Sequence, residues 1–184
     1  IIGNTFSGDT LKYYHWRPGF IHPEKKYTSD GKLVSNVQPH TQKPVGHLIS
    51  LAKMIFYTLD YFLGYLGAVY WEAAKGHLVV FDRYYYDFYM DKIRYRLSIS
   101  DKLIRFFQLF IPKPDITFLL IGDAQQIYER KKELPVEEIQ QQIDTLIKYQ
   151  RFYANPVFVD VSKPIPEVLY NVSRNILDTS HKRH

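Results

Sequence analysis

Two kinds of apolar run alternate along the chain. Leu78-Val79-Val80-Phe81, Ile116-Thr117-Phe118-Leu119-Leu120-Ile121 and Pro156-Val157-Phe158-Val159-Asp160-Val161 are short blocks bounded by Gly, Pro or Asp. Their length and β-branched content predict buried strands. Leu11-Lys12-Tyr13-Tyr14 is a fourth, weaker block that leads to Pro18-Gly19, a turn-forming pair. Between the blocks, apolar residues recur at helical spacing over His47 to Lys75, Asp101 to Phe110, Ala124 to Lys132, Leu134 to about Tyr153, and Pro166 to Leu177. Asp123 is placed to cap the third of these helices, and Pro166 suits a first helical turn. Strands alternating with helices predict an α/β domain with a mostly parallel sheet.

The longest periodic segment changes the picture. Met54 to Trp71 spans 18 residues in which only Asp60 is charged, so a membrane anchor using helix 47–75 has to be weighed. Lys53, Asp60 and Glu72 favour a helix that runs into the strand at Leu78 over a membrane anchor. Gly64 and Gly67 suit close packing of that helix on a sheet, and its remaining apolar face suits a homodimer contact. Phe20 to Gly46 lacks periodicity and reads as a long loop.

At 184 residues the chain has the size of one domain, residues 1–184. It contains no Cys, which excludes disulfides, thiolate metal sites and a Cys nucleophile, and suits a cytoplasmic setting. The seven His show no metal-ligand spacing, and His181 and His184 read as a terminal tail. The net charge of +5 is modest and its basic residues are scattered; a small anionic substrate explains it as well as nucleic acid does, and no nucleic-acid partner is expected.

Gly3-Asn4-Thr5-Phe6-Ser7-Gly8-Asp9-Thr10 has the spacing of a phosphate loop, but Asp9 stands where the loop needs Lys. A carboxylate there repels the β- and γ-phosphates, so the stretch reads as a polar turn. The chemistry concentrates instead in His77 to Asp87, where a buried strand ends in Asp82-Arg83-Tyr84. In open α/β sheets ligands bind beyond the strand carboxyl ends. A carboxylate there can face a metal and a guanidinium a phosphate; the plainer reading is an Asp82–Arg83 ion pair closing the strand. Arg17 at the first strand's end and Arg94 beyond the second can hold an anion or be solvated.

Phe81-Asp82-Arg83-Tyr84, Pro114-Asp115-Ile116-Thr117-Phe118-Leu119-Leu120 and Glu129-Arg130-Lys131-Lys132-Glu133-Leu134 occur in this order. Together they resemble the thymidylate kinase-like branch of the P-loop nucleoside monophosphate kinases. The nearest match is to members that pair a His-Trp-Arg-Pro-Gly turn with Asp-Arg-Tyr-Tyr-Tyr-Asp, and it covers roughly Leu11 to Leu177. The resemblance implies a three-layer α/β/α P-loop kinase-like fold and transfer of a phosphoryl group from ATP, with Mg2+, to a nucleotide or other small phosphorylated acceptor. It implies that Asp82 is catalytic and lies near the metal, and that Arg83 holds the acceptor's phosphate. Tyr84, Arg17, Asp87 and Arg94 would join Arg83 on the acceptor side. Arg130 matches the arginine that neutralises charge on the transferring group, with Lys131 or Lys132 assisting at ATP. Positioning and electrostatics suffice for such chemistry.

Three departures qualify the resemblance. The phosphate loop, its strand and its first helix are missing, so those elements are expected upstream of Ile1. Arg17 falls where thymidylate kinases carry the Glu of Thr-Arg-Glu-Pro-Gly. Their Ser-Ser-x-Ala-Tyr-Gln run is absent, which leaves the acceptor open. The rival expectation is a kinase-like fold that binds a nucleotide or a partner without turnover.

Overall fold

The computed structural model describes residues 10–19, 43–130, 132 and 134–181. The chain forms two compact units, Ile1–Pro112 and Lys113–His184. The Gly3–Thr10 stretch apart from Thr10, nearly all of the long loop, and Lys131 lie outside the described residues.

In the first unit, β1 (Leu11–His15) pairs in parallel with β2 (Leu78–Asp82), Leu11 opposite Leu78 and His15 opposite Asp82. The connection carries the long helix that periodicity predicts. It consists of α1 (His47–Gly64), a π-helical turn (Tyr65–Val69) and α2 (Tyr70–Ala74). Gly76, with φ of +80°, ends it. Gly76 N–H donates to the Ala73 carbonyl and His77 N–H to that of Glu72, a paired C-terminal closure that needs a left-handed residue. Glu72 then ties the helix end to the sheet, accepting from His77 Nδ1 at 2.6 Å and Lys75 at 3.0 Å, with Lys12 of β1 at 3.9 Å.

The inward face of α1 buries Ser50, Met54, Thr58 and Tyr61. Beyond β2 the chain makes α3 (Asp87–Met90) and, after a stretch of turns, α4 (Asp101–Gln108). Tyr85, Phe88 and Ile104 are, like Met54, fully buried. Each such side chain contributes about 1.5–3 kcal/mol of hydrophobic stabilisation. Tyr85 keeps its hydroxyl satisfied by donating to the Ile104 carbonyl at 2.8 Å.

Gly64 packs closely, though on a different surface from the expected sheet. A Cβ there would lie 2.5 Å from the Pro18 carbonyl carbon and oxygen, so the helix is pressed against the turn that follows β1. Gly67 is exposed within the π-helical turn.

In the second unit, β3 (Thr117–Ile121) pairs in parallel with β4 (Pro156–Asp160). Between them lie α5 (Ala124–Arg130), α6 (Val136–Tyr149) and a 3-10 turn (Gln150–Phe152). Asp123 caps α5 as expected, its carboxylate accepting from Gln126 N–H at 2.9 Å. Ala124, Ile139 and Ile143 form the core here, with Ile121, Ile127 and Leu134 packed on it. The final helix, α7 (Ile165–His181), runs past Leu177, so His181 is helical and not part of a loose tail. Arg174 and Asp178, one turn apart at 3.8 Å, support the extension.

Candidate functional site

Asp82, Arg83, Tyr84, Asp87, Arg94 and Arg17 all belong to the first unit, around the carboxyl ends of β1 and β2. Trp16 N–H donates to the Asp82 carbonyl at 2.8 Å, carrying the sheet pairing one residue beyond β1. Trp16 and Arg83 then both take left-handed backbone conformations. This conformation is uncommon for a residue with a Cβ and redirects the chain.

Asp82 and Arg83 do not form the expected ion pair with each other. Adjacent residues at a strand end face opposite ways. Asp82 turns toward β1, where its Oδ2 accepts from the Tyr13 hydroxyl at 3.0 Å and lies 3.1 Å from His15 Nδ1. Partial burial pushes the Asp82 carboxyl up, yet the hydrogen bonds from Tyr13 and His15 and the charges of His15 and Arg83 outweigh it and hold it below its ordinary value. An ionised Asp82 only accepts, so His15 Nδ1 carries the proton between them. Tyr13 and His15 are two apart on β1 and lie on one face; pairing register, which sequence does not display, brings them to Asp82.

Arg83 instead reaches Asp87, with Nη1 3.6 Å from Oδ2. The Asp87 carboxyl is raised to about 6, because burial pushes it up further than Arg83, the Tyr95 hydroxyl and Arg94 pull it back. The Tyr95 hydroxyl lies 3.4 Å from the same oxygen. Arg83 is 36% exposed in its side chain, and Arg94 is exposed. The two guanidinium groups that act on Asp87 are therefore open to a solvent-borne anion.

Tyr84 is a packing residue in this arrangement. Its ring meets Tyr61 edge-on at 5.5 Å and Phe81 at 5.2 Å, and its hydroxyl donates to the Pro112 carbonyl. Burial holds its phenol well above the ordinary value.

Arg17 is neither solvated nor open. Its Nη1 lies 2.5 Å from Asp60 Oδ2, and both side chains are nearly buried. The guanidinium carbon also sits 4.3 Å from the Trp16 ring centroid and 5.0 Å from that of Tyr57. Stacked, charge-paired guanidinium is a stable way to bury Arg. Gly19 is required beside it, since a Cβ there would meet the Asp60 carboxylate at about 2.0 Å. Asp60, Tyr95, His15 and Tyr13 are the neighbours sequence reasoning missed. Asp60 alone left a signal, as a lone carboxylate in an apolar helix.

Arg130 lies in the second unit at the end of α5. Its guanidinium donates to the carbonyls of Val161 and Ser162, just beyond β4. Lys132 is exposed. Among the described residues no group of three or more His, Asp or Glu side chains is gathered as a metal-binding cluster. Mg2+ needs only one or two carboxylates when phosphates and water complete its shell. Asp82, half-exposed and ionised, fits that requirement. No helix among the described residues is long and apolar enough to cross a membrane.

No protein-family model matches the chain, and no curated protein matches it either. Among solved structures, thymidylate kinase from Ehrlichia chaffeensis is similar, with a TM-score of 0.52 and 15% sequence identity. The match covers 95% of this chain and 86% of that one. This chain has an α/β P-loop kinase-like fold. At that identity the likeness extends to the fold alone.

Proposed function

We propose that the chain handles phosphate as part of a nucleoside monophosphate kinase-like phosphotransferase, using ATP and Mg2+. The observation that supports this best is the Arg83–Asp87 pair. Arg83 stands in a left-handed conformation at the carboxyl end of a parallel strand, half-open, with exposed Arg94 acting on the same carboxylate. In a P-loop kinase-like fold this is where an acceptor's phosphate can be received. Guanidinium suits the task through bidentate contact with phosphate oxygens.

In this reading Arg83 and Arg94 bind the acceptor phosphate, and Asp87 orients Arg83. Tyr84 holds the wall behind them. Arg17, engaged by Asp60, fixes the turn after β1. Asp82 is the residue that would hold Mg2+, which when bound neutralises phosphate charge. Arg130, in its own unit, is assigned to countering charge on the transferring group, with Lys131 and Lys132 assisting at ATP. The acceptor is a nucleotide or another small phosphorylated molecule.

The second reading, nucleotide or partner binding without turnover, draws support from Asp82 being held by Tyr13 and His15 and from Asp9 in the loop-like stretch. Two observations separate the readings. A strand followed by G-x-x-x-x-G-K-[ST] in the full-length gene would favour the phosphotransferase. The full-length protein, given ATP, Mg2+ and a panel of nucleoside monophosphates, should then phosphorylate at least one, and Arg130→Ala should lower the rate by ~100-fold or more. No such loop together with no transfer favours the binding protein.

A further inference from the structure

Three stretches of the first unit meet at the start of α1. Val45 N–H donates to the Arg96 carbonyl, and the Ser50 hydroxyl donates to the Val45 carbonyl while accepting from Ser98 N–H. Lys53 donates to the Tyr95 carbonyl at 3.1 Å, which is bonded to the Arg96 nitrogen, so the ammonium is held against the Arg96 backbone. Arg96, like Trp16 and Arg83, is left-handed, with φ of 54°. Its Nε donates to the Lys43 carbonyl at 3.2 Å, which fixes the guanidinium plane. Among the described residues no carboxylate pairs with Lys53 or Arg96. Each described acidic side chain of the unit is engaged elsewhere: Asp60 by Arg17, Glu72 by His77 and Lys75, Asp82 by Tyr13 and His15, Asp87 by Arg83, Asp91 by the Arg94 N–H, and Asp101 by Lys92. Burial and the neighbouring Arg96 charge hold the Lys53 ammonium below its ordinary value. The fold thus holds two cations side by side with no counter-charge of its own.

We infer, on the reading of Arg83 as the acceptor-phosphate site, that Lys53 and Arg96 receive a second phosphate of the same acceptor, a small molecule phosphorylated at two separate positions. Tyr95 sets the spacing. Its carbonyl end holds Lys53, and its hydroxyl lies 3.4 Å from Asp87, the carboxylate facing Arg83. The two anion sites are therefore one tyrosine apart, and exposed Arg94 precedes the residue that joins them. Arg96 offers a phosphate paired N–H donors, and Lys53 a compact charge. A single phosphate reaches one site; a bisphosphate of the right length reaches both, and the second contact, being intramolecular, raises affinity.

Calorimetric titration of the whole chain with propyl phosphate and with alkanediol bisphosphates of increasing chain length tests it. These probes carry no base and vary only the spacing. The wild type should bind one bisphosphate at least about tenfold more tightly than propyl phosphate, with an optimum at one chain length. Arg96→Gln and Lys53→Gln should each bring that bisphosphate down to the level of propyl phosphate, whereas Arg83→Gly should weaken both ligands. If every bisphosphate binds the wild type no better than propyl phosphate, or Arg96→Gln keeps the advantage, the second site is overturned while the Arg83 site stands. If Arg83→Gly weakens neither ligand, the phosphate-handling reading fails, and the shared acceptor fails with it. If Arg96→Gln does not fold by circular dichroism, Lys53→Gln decides.

Discussion

Trp16 and Arg83 occupy matching positions, each the first residue beyond its strand in a parallel pair, and each is left-handed, with φ of 70° and 71°. Such a conformation costs a residue with a Cβ about 1–2 kcal/mol. In return, both chains leave the sheet in the same way. Trp16 is laid on Arg17 and Tyr95, and Arg83 is turned toward Asp87. Arg83→Gly and Arg83→Ala both lose the guanidinium that faces Asp87, but only the alanine variant keeps the backbone strain. Urea unfolding should separate the two by about 1 kcal/mol, with glycine the more stable. A more stable alanine variant would show that the backbone there is unstrained.

The Arg17–Asp60 pair predicts a larger effect. Removing one partner leaves a buried charge unpaired, so Arg17→Met should destabilise the fold by about 3–5 kcal/mol. The double variant Arg17→Met with Asp60→Leu should recover much of that loss, because an apolar pair of similar volume replaces both charges. Denaturant titration of the three proteins checks this. A single variant that costs under about 1 kcal/mol would mean the pair is solvated.

Gly64 predicts a backbone clash. Alanine there drives a Cβ into the Pro18 carbonyl, which cannot swing aside like a side chain tip. Gly64→Ala should lower stability by about 1–3 kcal/mol despite alanine's better helix propensity. Gly67→Ala, on the exposed turn, should not.

Asp87 makes stability depend on pH. Its folded value of about 6 lies above the ordinary 3.8, so the folded state holds the proton more tightly than the unfolded state. Stability from this group is fully present below pH 3.8 and is lost as pH rises through about 6. Between pH 7.5 and pH 5 the wild type should gain about 1.4 kcal/mol from it. Asp87→Asn should lack that gain. Urea melts of both proteins at the two pH values read the difference, and equal slopes would remove Asp87 from the account.

Much of the fold was legible in the chain because it is written in short-range patterns. The four strands announce themselves as apolar blocks, the long helix by its period, and α5 by Asp123. What stayed hidden depends on distance along the chain. Arg17 and Asp60 are 43 positions apart, and only the closure of Gly19 and Gly64 onto each other's elements brings them together. The Asp82–Arg83 pairing failed for a geometric reason, since neighbours on a strand diverge and Arg83 finds Asp87 four residues on. The candidate site was readable in the chain only as a set of residue types at a strand end. Its wiring, with Asp82 held by Tyr13 and His15, follows from the register between β1 and β2.

The central claim, an acceptor-phosphate site on Arg83, is tested most directly by calorimetric titration of inorganic phosphate and a panel of nucleoside monophosphates into the wild type and Arg83→Gly. The glycine variant is the right comparison because it removes the guanidinium without adding strain. The account predicts that at least one nucleoside monophosphate binds the wild type and that Arg83→Gly weakens it by at least about tenfold, or ~1.4 kcal/mol, with the variant still folded by circular dichroism. Equal affinity in the two proteins, or no binding to the wild type, would contradict it.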